Sequence, residues 1–160
     1  MDIQKILIGI VQFLIILFSL SVHESAHAWM AYRFGDSTAK DQGRITLNPI
    51  PHIDLFGTIL IPGMLLIFGS PPFGFAKPVP VNLYNMRNPR KGNLYVSAAG
   101  PLSNIMLAVI GIILFNILKS LGVFNQTPLL ALFVYYFAVI NVLLAVFNML
   151  PIPPLDGGGV

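Results

Sequence analysis

Three apolar runs govern what this chain can fold into: residues 6–32, 94–118 and 129–150. Each exceeds the ~20 helical residues that cross a hydrocarbon core of ~30 Å. The second and third carry no charged residue, and the first carries one, Glu24. Charged residues make up 9% of the chain, against about 25% in an ordinary soluble domain. So much apolar surface is expected to be solvated by the lipid bilayer. Trp29 and Tyr32 stand where an interfacial aromatic belt would anchor the first span.

A cleaved signal peptide is the alternative for the N-terminus, because Ala26-His27-Ala28 resembles a small-residue cleavage site. The apolar run of residues 6–22 is longer than the roughly 7–15 residues of a signal's apolar region, and little positive charge precedes it. An uncleaved span is therefore expected. Cysteine is absent, which excludes disulfides and thiolate metal sites and leaves histidine and carboxylate as ligands. The net charge of +3 sits mostly in loops between apolar runs. That placement suits anionic headgroups and suggests no nucleic-acid partner.

A fourth apolar run, residues 55–68, is short, and Pro62-Gly63 interrupts it near its middle. If it crosses fully, four basic residues fall on one side and five on the other. If it dips in and returns, Arg33, Lys40, Arg44, Lys77, Arg87, Arg90 and Lys91 share a side, opposite Lys5 and Lys119. Seven against two is the asymmetry the positive-inside rule favours. The expected topology is three spans and a re-entrant element, with the basic loops in the cytoplasm. Residues 43–47 and 76–82 read as short extended segments. Pro78 and Pro80, two apart, leave one edge of such a segment without donors.

His23-Glu24-Ser25-Ala26-His27 lies inside the first run. Residues four apart share a helix face, so both imidazoles can reach one tetrahedral zinc, with Glu24 beside it as general base. A helical histidine is often only a packed residue, but His, Glu and His in lipid cost several kcal/mol unless they face a cavity or a partner. A catalytic zinc needs a third protein ligand. Met30 and Arg33 stand where the longer form of the motif has Gly and His, and the chain has no second glutamate. Asp36, Asp41, His52, Asp54 and Asp156 remain. In the re-entrant topology the third span returns to the histidine side and delivers Asp156, which makes it the first choice. Asp54 is the second, with a helix cap as its alternative role. Pro151-Ile152-Pro153-Pro154 breaks the helix ahead of Asp156. Asn148 and Asn104 can each donate to an oxyanion or instead satisfy backbone at a kink.

Four stretches together carry a family resemblance: HESAH at 23–27, GRITLNP at 43–49 with HID at 52–54, AAGPLSN at 98–104, and NMLPIPPLDGG at 148–158. The chain resembles the site-2 proteases, intramembrane zinc metalloproteases of family M50. The resemblance implies an α-helical polytopic membrane protein over residues 1–160. It would comprise three core transmembrane helices, a re-entrant or short fourth segment and a small membrane-associated β element. It implies Zn2+ on His23, His27 and Asp156, catalysis by Glu24, and a transition-state role for Asn148. It implies a transmembrane protein substrate, cut in or near its membrane segment. It also implies a bacterial or archaeal cell membrane, with the active site towards the cytoplasm. Departures are Leu55, where many small relatives have proline, and Gly159, where arginine is frequent. Relatives generally continue past the position of Val160, so C-terminal helices are expected to be missing here. An unwound substrate segment is expected to pair with residues 43–47 or 76–82. Two rival classes use the same residues, a membrane ion-site protein and an inactive scaffold. Neither needs Glu24 as a base.

Overall fold

The computed structural model describes residues 3–153 and 155–159. The α-helices are α1 (Ile3–Arg33), α2 (Thr38–Asp41), α3 (Ile61–Ile67), α4 (Pro89–Ser120) and α5 (Pro128–Asn148). Helices α1, α4 and α5 are long and apolar enough to cross a membrane. They coincide with the three expected runs, and α4 begins five residues earlier than its run. There the Asn88 side chain accepts the Lys91 N–H at 3.1 Å, and Pro89 fills the first helical position, where no donor is needed.

Helix α4 packs on both α5 and α1. Small residues line these contacts: Ala28 and Ala31 on α1, Ala99 and Ala108 on α4, Ala138 and Ala145 on α5 are buried. Large apolar residues such as Ile113, Leu143 and Val146 point outward. This is the arrangement of helices in lipid, where close backbone approach replaces burial of large side chains.

Residues 54–77 form a hairpin. Asp54 caps its entry, accepting the N–H groups of Phe56 at 3.0 Å and Gly57 at 2.7 Å. Residues Leu55–Leu60 wind as a π-helix that runs into α3. Pro62 sits just past the π-to-α junction, near the middle of a run that stays helical from Leu55 to Ile67. Leu66 packs against Gly9 of α1. Gly9 is 14 residues, or ~21 Å of helix, from His23. The chain then returns: Phe75 N–H donates to the Gly57 carbonyl at 3.1 Å, and Lys77 N–H to the His52 carbonyl at 2.9 Å. Both ends of the hairpin thus meet beside His52.

The expected β element does not form: no strand occurs among the described residues. Residues 76–82 run without helix or ladder, and several of their polar groups have other partners. Val79 N–H goes to Glu24, the Lys77 and Pro78 carbonyls go to Arg44, and Pro78 and Pro80 have no donor. The 43–47 segment starts in the turn that closes α2, where Gly43 N–H and Arg44 N–H donate to the Lys40 and Ala39 carbonyls.

Candidate metal centre

One helical turn brings His23 and His27 to the same face of α1, and both are buried. Their third partner arrives from beyond α5. Pro151 and Pro153 are non-helical, as expected, and Pro154 lies outside the described residues. The chain then folds back on the end of α5. At Gly157 a Cβ would stand 2.5 Å from both the Met149 and the Leu150 carbonyl oxygens, so only glycine permits this approach. The fold-back places Asp156 Oδ2 at 2.9 Å from His23 Nε2, and Oδ1 at 3.3 Å from His27 Nε2. The two Nε2 atoms are 3.0 Å apart.

The imidazole partners fix what these atoms are. His27 Nδ1 faces the Val96 carbonyl at 2.7 Å, an acceptor only, so Nδ1 carries the proton. His23 Nδ1 faces Asn104 Oδ1 at 2.6 Å. The amide of Asn104 is turned that way because its Nδ2 donates to Asn141 Oδ1 at 2.9 Å, and Asn141 Nδ2 donates in turn to Ser19 Oγ at 2.9 Å. His23 therefore also donates through Nδ1. Both neutral rings present Nε2 lone pairs to each other and to a carboxylate. Such a cluster is stable only around positive charge. Ligand atoms at 2.0–2.1 Å from a tetrahedral zinc lie ~3.3 Å from one another, close to the separations found here. The donor set fits zinc. Histidine ligands that donate their other nitrogen to a carbonyl or amide are also the usual outer shell of such sites.

Gly100 completes the cradle. A Cβ there would stand 2.5 Å from His23 Nε2 and closer still to His27 Nε2. The Asp156 carboxyl faces the two Nε2 atoms, which the Nδ1–H tautomers leave as lone pairs. It is an anion at neutral pH, the form that binds a metal.

Glu24 and Asn148 line one cavity of 580 Å³ with His23, His27 and Asp156, and its other walls include Phe75, Val79 and Leu155. Glu24 Oε2 accepts the Val79 N–H at 3.1 Å. Asn148 donates through Nδ2 to the Leu144 carbonyl at 3.0 Å. Asn104 is not among the cavity-lining residues: its Oδ1 faces His23, and its Nδ2 donates to Asn141 at 2.9 Å and reaches the Ser19 carbonyl at 3.5 Å. Asp54 is a cap, and His52 is buried with Nε2 on the Thr46 carbonyl at 3.0 Å. Among the described residues, His23, His27 and Asp156 are the group whose ligand atoms gather within 4.8 Å. Asn141 and Ser19 escaped the sequence reading. Their signal was available, since an asparagine amid the uncharged 129–150 run needs a polar partner in lipid.

The family model for peptidase family M50 matches residues 11–131 and 123–160. Among curated proteins, the chain is 46% identical over 145 residues to "Putative zinc metalloprotease YwhC" of Bacillus subtilis, covering 89% of this chain and 63% of that protein. It is 32% identical over 146 residues to "Putative zinc metalloprotease Rip2" of Mycolicibacterium smegmatis, covering 89% and 52%. It is 31% identical over 153 residues to "Putative zinc metalloprotease MJ0611" of Methanocaldococcus jannaschii, covering 96% and 70%. The chain thus spans less than two thirds of the length of the first two relatives. No solved structure matches it.

Proposed function

The chain belongs to peptidase family M50, and from that premise we propose that it forms the core of an intramembrane zinc endopeptidase. Its metal ligands are His23, His27 and Asp156, and its general base is Glu24. The observation that carries this reading is the convergence of two imidazole lone pairs and a carboxylate within 3.3 Å, in the cavity that Glu24 also lines. Bound there, zinc supplies Lewis-acid chemistry, polarising a carbonyl and acidifying water to a pKa of about 7.

The chain's own residues do the rest. With Oε2 held by Val79 N–H, Glu24 keeps Oε1 to take a proton from the attacking water and return it to the leaving amine. Asn148 has a second N–H, beyond the one bonded to Leu144, to donate to the developing oxyanion. Phe75, Val79, Val96 and Leu155 contribute apolar walls beside these polar groups.

The substrate class is a membrane-tethered protein whose transmembrane segment unwinds locally to expose a peptide bond. The 54–77 hairpin enters and leaves on the side of the basic loops, because Lys77 N–H meets the His52 carbonyl. With seven of nine basic residues on that side, it is the cytoplasmic one. The centre then lies within the membrane, towards the cytoplasmic face.

The test compares the purified protein with a Glu24→Gln variant in detergent, using a panel of single-span reporter substrates and mass spectrometry of the products. Both proteins are expected to hold about one zinc per chain, and the variant to lose hydrolysis by a factor of at least ~10². Cleavage at the parental rate by Glu24→Gln, or a folded parent that does not bind zinc, refutes the reading.

A further inference from the structure

We propose that Arg44 is a positioning residue for Glu24, acting through the single peptide group between Pro78 and Val79. The inference rests on the reading of Glu24 as the general base and names what sets its orientation.

Arg44 is 4% exposed, unusual for a cation; its Nε has no hydrogen-bond partner among the described residues, and its two Nη groups carry the contacts. Its Nη1 donates to the Pro51 carbonyl at 2.8 Å, and its Nη2 to the Pro78 carbonyl at 3.1 Å and to the Lys77 carbonyl. The Pro78 carbonyl and the Val79 N–H belong to one peptide unit, planar and with its two polar bonds pointing oppositely. Arg44 holds the carbonyl end of that plane, and Glu24 Oε2 accepts from its N–H end at 3.1 Å. A guanidinium and a carboxylate thus polarise the same amide from either side, and each bond strengthens the other.

The geometry also explains why this position takes arginine. Three carbonyls from two segments, Pro51 on one side and Lys77 and Pro78 on the other, need a planar fork of fixed donors. A lysine ammonium offers a point charge instead. The Lys77 N–H bond to the His52 carbonyl pins the peptide two positions upstream. The segment passing Glu24 is therefore clamped by the 44–52 loop rather than by a sheet. Without Arg44 the Pro78–Val79 plane is free to rotate, Oε2 loses its donor, and the carboxylate samples other rotamers. None of His23, His27 and Asp156 bonds to Arg44, so the metal stays.

The test uses the purified protein with Arg44→Gln, Arg44→Lys and Glu24→Gln variants. Four quantities are measured: zinc per chain, kcat and KM on a reporter substrate, and the amide proton shift of Val79 in 15N-valine-labelled, zinc-free protein. Arg44→Gln is expected to retain zinc and lose kcat by about ten- to a hundredfold with KM little changed. Its Val79 amide proton should move upfield, towards its position in Glu24→Gln. Arg44→Lys should fall between parent and Arg44→Gln in both kcat and shift. A zinc-replete Arg44→Gln with parental kcat, or with an unmoved Val79 amide, overturns the inference. If Arg44→Gln does not fold, an Arg44→Lys protein indistinguishable from the parent overturns it equally. Retained cleavage by Glu24→Gln would instead sink the general-base reading, while the Val79 shift still decides the link between Arg44 and Glu24.

Discussion

Replacing Gly100 with alanine should empty the metal centre without unfolding the helix that carries it. The added Cβ would stand 2.5 Å from His23 Nε2, 2.6 Å from His23 Cε1, and closer still to His27 Nε2. Ordinary contact needs ~3.5 Å, so the rings or α4 must move apart by about 1 Å. The rings have little freedom, because Nδ1 of each is tied to Asn104 or to the Val96 carbonyl. A shift of ~1 Å against a zinc–nitrogen distance of 2.0–2.1 Å breaks at least one coordinate bond. The expected loss is a hundredfold or more in zinc affinity, or at least about 2.7 kcal/mol. Helix propensity works the other way, since alanine is better than glycine by about 1 kcal/mol in a helix interior. Gly63→Ala in α3 is the control, because nothing lies within 4 Å of its added Cβ. Zinc affinity measured by chelator competition in detergent, beside helicity by circular dichroism, separates the two effects. A folded Gly100→Ala protein with parental zinc affinity would refute both the cradle and the assignment of the rings to one metal.

Asn141→Leu should cost about ten- to a hundredfold in zinc affinity, since it frees the Asn104 amide that holds His23; unchanged affinity in chelator competition would count against the chain of amides. Asp54→Ala should cost about 1 kcal/mol of stability through the lost cap and leave zinc per chain unchanged; loss of the metal would return Asp54 to the ligand set. Asp36, in the loop after α1, is pushed up by burial, but hydrogen bonds from Thr38, Asn82 and Asn85 outweigh this and lower its pKa. A folded pKa below the unfolded one gives stabilisation that is complete above the ordinary carboxylate value of about 3.9 and is lost as pH falls through the folded pKa. The thermal stability difference between parent and Asp36→Asn should therefore be level from about pH 8 to 5 and shrink below about pH 4; a difference that grows on acidification would refute the assignment.

The sequence by itself determined the three long helices and the pairing of His23 with His27, because both depend on local quantities. Hydropathy over some twenty residues selects a span, and the 3.6-residue period puts positions four apart on one face. It also singled out Asp156 over Asp54, through a count of basic residues that depends only on which side each loop lies. What it could not supply was the destination of each backbone and side-chain polar group. Residues 76–82 have the composition of an edge strand, yet their hydrogen bonds to Arg44 and Glu24 join residues 33 or more positions apart. Asn104 read as an oxyanion donor or a kink residue until Asn141 and Ser19, from two other helices, fixed the direction of its amide. Gly100 had no role assigned within the stretch at 98–104, and only the approach of α4 to α1 makes it the wall of the metal centre. In each case the deciding energy is a contact between segments far apart in the chain, which exists only once the helices have packed.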